Sequence, residues 1–136
     1  GAAVAERWGV EAACGVAAMA YFLAGMSKFQ FSGLAWASGG AMSIQIMMYA
    51  TQGVAWMIPF RLGVADQIWL CTIFGWLTLV IELGYALFVF PAFRKPLSIL
   101  ATLMHLGIAV CMGLHHYDWM FMEIGLAWYA FGPRDE

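Results

Sequence analysis

The sequence predicts an all-α fold: a polytopic membrane helix bundle of about four transmembrane helices with an outer re-entrant or interfacial segment. Three observations predict it. Of 136 residues, 64% are hydrophobic and 10% charged, too little polar surface to cover a soluble domain, so lipid must cover the rest. Several windows approach the roughly 20 apolar residues that a helix needs to cross a bilayer core of about 30 Å. The segment between the first two windows is interrupted by glycines and polar residues.

The expected spans are residues 9–27, 66–91, 97–114 and 117–132, all within a single domain covering 1–136. The first is interrupted by Glu11, and the second carries Glu82 deep inside it. The second is long enough to tilt, whereas the fourth is short and needs protein neighbours. In 29–63, Ser32, Gly33, Gly39 and Gly40 break an apolar run, 42–49 suits one more short helix, and Gln45, Gln52, Gly53 and Pro59 suit a re-entrant path.

Charge placement sets the expected orientation, because cytoplasmic ends collect Lys and Arg. If 29–63 stays outside, Arg7, Arg94, Lys95 and Arg134 share the cytoplasmic side, and Lys28 and Arg61 face the other. A full crossing by that segment would move Arg7 and even the count to three against three. The expectation is therefore an integral, multi-pass protein with both termini cytoplasmic. The chain opens at Gly1 without a signal-peptide pattern, so either a leading piece has been removed or a longer chain precedes it.

On the first span Gly9, Ala13 and Ala17 recur every four residues, followed by Ala20 and Ala24, a packing face for another backbone. Trp8, Trp36, Trp56, Trp69, Trp119 and Trp128 fall toward span ends, with Trp76 deeper. Cys14, Cys71 and Cys111 lie in apolar runs without a CxxC pair, which suits small packing residues and argues against a disulfide framework. A net charge of −2 excludes the basic surface of a nucleic-acid binder.

Ionisable groups at bilayer depth cost at least about 2.5 kcal/mol each and need a partner or a purpose. Glu82 lies nine residues before Pro91 and His105 nine after Pro96, matching depths on two helices joined by a turn at 92–95. The expected intramembrane polar pair is thus Glu82 with His105: a structural hydrogen bond, a proton relay, or an orienter for a catalytic imidazole. Glu123 and Glu11 suit protonated or paired packing residues. Lys28 either lifts its ammonium into the headgroups or, desolvated, serves as a neutral amine base. His115, His116 and Asp118 form a weak candidate metal cluster at the outer turn, for which a solvated turn is the simpler reading; no metal is expected.

The run Tyr21-Phe22-Leu23-Ala24-Gly25-Met26-Ser27-Lys28-Phe29, then Trp36 and Gly39-Gly40-Ala41-Met42, resembles the signature of the vitamin K-dependent γ-carboxylase-like family, whose membrane part is the HTTM (horizontally transferred transmembrane) domain. Met104-His105-Leu106-Gly107-Ile108-Ala109, Gly113 and Phe121-Met122 resemble its late His-bearing helix and final helix. The resemblance implies Lys28 as the catalytic base that starts oxygenation of a reduced vitamin K-like quinone, and His105 as a catalytic-region residue. These 136 residues hold neither the family's earlier helices nor its large soluble domain, and the stretch after Lys28 lacks the acidic residues of carboxylase versions.

Three functions follow. The first is an accessory subunit of a larger membrane complex, derived from an HTTM-type domain, with membrane lipids and other membrane subunits as partners. Its Met-rich and aromatic surface suits contacts with lipid, pigment or quinone tails. The second is a quinone-dependent carboxylase or epoxidase-like enzyme using Lys28. The third is a proton or small-solute pathway through Glu82, His105 and Glu123.

Overall fold

The computed structural model describes residues 2–114 and 117–131, without the side chains of residues 2–4, 6, 127, 130 and 131. Regular structure among the described residues is entirely helical: α1 (Ala2–Ser32), α2 (Gly40–Tyr49), α3 (Ile58–Ala65), α4 (Ile68–Gly84), α5 (Pro91–Met112) and α6 (Tyr117–Phe131), with tighter 3-10 turns at Gly33–Ala37, Ala55–Met57 and Tyr85–Val89. Three stretches, Arg7–Ala37, Ile68–Val89 and Pro91–Met112, are long and apolar enough to cross a membrane.

Local chemistry explains where these helices differ from the expected spans. Residues 28–32 contain neither Gly nor Pro, so α1 continues past 27 until Gly33 takes a positive φ of 55° and ends it. The expected turn at 92–95 is instead the start of α5. Pro91 sits in its first turn, where the missing N–H costs nothing, and Pro96 is absorbed inside the helix. Gly113, left-handed at φ 70°, closes α5. Pro59, read as an interruption, likewise opens α3. The segment 29–63 is thus mostly helical, and the short helix expected at 42–49 is present as α2.

Side-chain pairings give the helix directions. On α1, Glu11 meets Arg94 at the start of α5, Tyr21 meets Tyr85, and Lys28 meets Glu82. Tyr129 near the end of α6 returns to Glu11. Hence α1 and α5 run one way and α4 and α6 the other. The start of α1, the α4–α5 junction and the end of α6 share one end of the bundle.

One core fills the middle: Cys14, Ala17, Ala18 and Tyr21 of α1 against Ile81, Tyr85, Phe88, Leu97, Ala101 and Leu126. A smaller one, Met42, Ile46, Ala65 and Cys71, lies under α2 and α3. The packing face of α1 differs from the expected stripe. Gly9 and Ala13 are exposed, Ala20 and Ala24 are half-buried, and only Ala17 of that set is buried. The buried face is rotated to Cys14, Ala18, Tyr21 and Gly25, because the close approach occurs at Gly25. A Cβ there would stand 3.0 Å from the Glu82 Cβ and the Leu83 side chain.

Candidate functional site

Positions 21, 25 and 28 fall on one face of α1, about one turn apart. The missing side chain at Gly25 lets α4 approach, and this brings the Glu82 carboxylate under Lys28. The Lys28 Nζ donates to both oxygens, at 2.5 Å to Oε1 and 2.6 Å to Oε2. The Lys28 side chain is 23% exposed and that of Glu82 9%, so the pair is largely withdrawn from solvent. The ammonium also lies 5.3 Å from the centroid of the Trp36 ring, within cation–π range.

This pair forms one wall of a pocket of about 440 Å³ between the late part of α1, α2, α4 and the second half of α5. Its other walls are mostly apolar: Met42 and Ile46 from α2, Phe74 and Ile81 from α4, Met104 and Ile108 from α5. Gln45, Tyr49 and Thr78 add polar atoms. Trp36 is also part of the wall, and its indole N–H is buried without a hydrogen-bond partner among the described residues. Buried donors are rarely left unpaired, and the pocket is lined by the ion pair and by the residue that carries this unused donor, among mostly apolar side chains.

The expected pairing of Glu82 with His105 is replaced by two separate pairings. Glu82 goes to Lys28, whereas His105 Nδ1 lies 3.2 Å from the Tyr21 hydroxyl and 3.3 Å from Oε1 of Glu123. Matching the positions of Glu82 and His105 along two helices leaves out α1 and α6, which supply the partners observed. Lys28 is ion-paired to Glu82 in the bundle, with its side chain 23% exposed.

Glu11 is paired, as one of its expected readings held. Arg94 Nη1 and Nη2 donate to its two oxygens at 3.0 and 2.6 Å, and the Tyr129 hydroxyl donates at 3.2 Å. Arg94 also donates to the Phe88 and Val89 carbonyls, satisfying the 3-10 turn that leads into α5.

Sequence reasoning used Arg61 only to judge orientation, yet it is 2% exposed and clamps three carbonyls, two at helix ends and one in the turn after α2. Its guanidinium donates to Val110 O at 3.0 Å, to Ala50 O at 3.1 Å and to Gln52 O. A cation suits these C-terminal ends of α2 and α5, where free carbonyls and the helix dipole are both negative. The one available signal was a lone arginine in the apolar stretch 58–65.

Asp118 is exposed in the first turn of α6, where a carboxylate favours the helix N-terminus. His115 and His116 lie outside the described residues. Among the described residues no group of three His, Cys, Asp or Glu is placed to hold a metal. Cys14, Cys71 and Cys111 are free thiols, the first two buried. No known protein family matches the chain, and neither does any curated protein or solved structure.

Proposed function

We propose that the chain is a membrane-embedded module that holds a lipid-soluble hydroquinone in the pocket beside Lys28 and uses the Lys28–Glu82 pair to take the proton from its hydroxyl. The observation that carries this reading is that the Lys28–Glu82 ion pair and Trp36, whose indole N–H is buried and unpaired among the described residues, line one mostly apolar pocket. A flat ring system fills such space, its oxygens answer the polar groups, and its tail extends into lipid. The quinone class comes from the resemblance of the Lys28 region to the γ-carboxylase-like family.

The ion pair sets what the lysine does. An ammonium cannot accept a proton, so Nζ first passes one to Glu82. The neutral amine then takes the hydroxyl proton of the ligand, and the resulting oxyanion faces an ammonium. One proton leaves the ligand and one is gained by the pair, so the step balances.

The membrane arrangement that supports this chemistry has four crossings, by α1, α4, α5 and α6, with α2 and α3 re-entrant. At about 1.5 Å per residue, α2 and α3 reach only about 15 and 12 Å, too short to span. Both termini then lie with Arg7, Arg94 and Lys95 on the cytoplasmic side. A second reading, an accessory subunit of a larger membrane complex, is favoured by the uncovered Gly9 and Ala13 on α1.

The test is binding of a short-chain naphthohydroquinone and its oxidised form to purified protein in lipid nanodiscs, followed by quenching of tryptophan fluorescence. Saturable quenching that falls in Trp36→Phe and Lys28→Met variants is expected. Linear, non-saturable quenching identical in all three proteins would remove the ligand reading and leave the subunit reading, which predicts comigration with a larger assembly in mild detergent.

A further inference from the structure

The walls of the pocket beside Lys28 divide by chemistry. Its polar side chains, Lys28, Trp36, Gln45, Tyr49, Thr78 and Glu82, come from α1, α2, α4 and the turn between α1 and α2. The α5 wall is apolar throughout. Leu100, Leu103, Met104, Gly107, Ile108 and Cys111 recur there at helical spacing on one face. His105, in the same stretch, turns away to Tyr21 and Glu123.

Helix register places the two walls at different heights. α1 and α5 run the same way, and Tyr21 meets His105. Lys28 stands two turns beyond Tyr21, which on α5 corresponds to Met112. Side chains lean back toward the helix N-terminus, so the ammonium lies at the level of residues 108–112. Leu100 comes eight to twelve residues earlier, about 12 to 18 Å along the axis. The pocket thus continues past the ion pair toward the α4–α5 junction for longer than a two-ring system extends.

That continuation is open at the side. Leu100 and Leu103 of α5 and Leu77 of α4 line the pocket, and all three are exposed. Both helices belong to stretches long and apolar enough to cross a membrane, so in a bilayer the gap between them faces acyl chains. Gly107 stands between Leu103 and Cys111 in the lining stripe, and a Cβ there would meet no atom within 4 Å. The missing side chain leaves the middle of the gap unfilled.

We infer that the gap between α4 and α5 seats a long hydrocarbon tail and admits the ligand sideways from the bilayer, with Gly107 keeping the passage wide enough for the chain. The ligand class is then a tailed hydroquinone loaded from lipid, not a small soluble one. The inference rests on the pocket reading above for the ring and adds a place for the tail. Lipid is as apolar as the gap, so the tail gains little by leaving one for the other, and steric fit decides whether it enters.

The experiment titrates two naphthohydroquinones with the same ring, one bearing a methyl group and one a four-unit prenyl tail. Each is dosed by its mole fraction in nanodisc lipid and read by tryptophan quenching. Gly107→Leu is expected to weaken the tailed ligand about tenfold and the methyl ligand less than about twofold. Gly125→Leu, which also adds a side chain in open space but on α6, is expected to change neither. Equal weakening of both ligands by Gly107→Leu, or no weakening, would overturn the tail assignment while the pocket reading stands. So would saturable binding of the methyl ligand alone. Absence of saturable binding by either ligand in the unmodified protein would end both readings. A second measurement does not depend on the variant folding: a tailed ligand with a diazirine at mid-tail is expected to photolabel Leu77, Leu100 or Leu103, and excess unlabelled tailed ligand to suppress this. Labelling confined to other segments, or labelling there that excess ligand leaves unchanged, as on any lipid-facing surface, would overturn the tail assignment even where ring binding persists.

Discussion

The two carboxylate oxygens of Glu82 lie 2.5 and 2.6 Å from the Lys28 ammonium, across an interface closed by the missing side chain of Gly25. Removing one member of such a pair costs more than removing both, because the survivor is left as an uncompensated charge in an apolar interior. Lys28→Met and Glu82→Leu are each expected to destabilise the bundle by about 3 kcal/mol, and the double variant by clearly less than their sum. A double-mutant cycle on unfolding in mixed detergent micelles measures this. Strict additivity would show that the pair contributes nothing as a pair.

Glycines at two positions of α1 separate packing from propensity. Gly25→Ala forces a Cβ to 3.0 Å from Glu82 and Leu83, so it is expected to cost about 1 to 3 kcal/mol and to weaken ligand quenching by moving Glu82. Gly9→Ala meets no atom within 4 Å, and alanine is the better helix former, so it should be neutral or stabilising by up to about 1 kcal/mol. Unfolding midpoints of the two variants in the same detergent check the contrast.

Arg61 gives a prediction that charge alone does not. Lysine keeps the positive charge but not the planar fork that reaches three carbonyls, so Arg61→Lys should destabilise by about 1 to 3 kcal/mol. Gly113→Ala should do the same by another route, since its left-handed φ of 70° disfavours a Cβ and the Arg61 guanidinium occupies the space. Thermal melting of both single variants and the double tests whether they act on one clamp. Their effects are expected to overlap and fall short of additivity.

The sequence made the helical class legible because apolar windows, glycines and prolines act locally. Gly113 closed its helix near the expected place, and 42–49 formed its short helix inside α2. Glu82, His105 and Glu123, acids and a histidine inside apolar windows, are all buried in the bundle. Partner choice was not legible. Whether Glu82 meets His105 or Lys28 depends on the rotation and register of α1 against α4, which Gly25 fixes through a contact 57 positions along the chain. The stripe through Gly9 and Ala13 is left uncovered within the chain, since small residues permit close approach without saying which of them is used.

Topology is the remaining test, and one ion pair makes it sharp. The Arg94 guanidinium grips Glu11, so the start of α1 and the start of α5 share one end of the bundle, whereas Arg61 ties the end of α5 to the α2–α3 segment at the other. If α2 and α3 are re-entrant, cysteines placed at Arg7 and Lys95 must label from one membrane face, and cysteines at Gln52 and Leu114 from the opposite face. A fully crossing α2–α3 segment would separate Arg7 from Lys95, and the Glu11–Arg94 contact could then not form. Impermeant maleimide labelling in sealed vesicles, in a background with Cys14, Cys71 and Cys111 replaced by alanine or serine, decides between them. Matched labelling at Arg7 and Lys95 is the expected result, and loss of the Arg94 contact in Glu11→Gln should reduce stability by about 1 to 3 kcal/mol without altering which face is labelled.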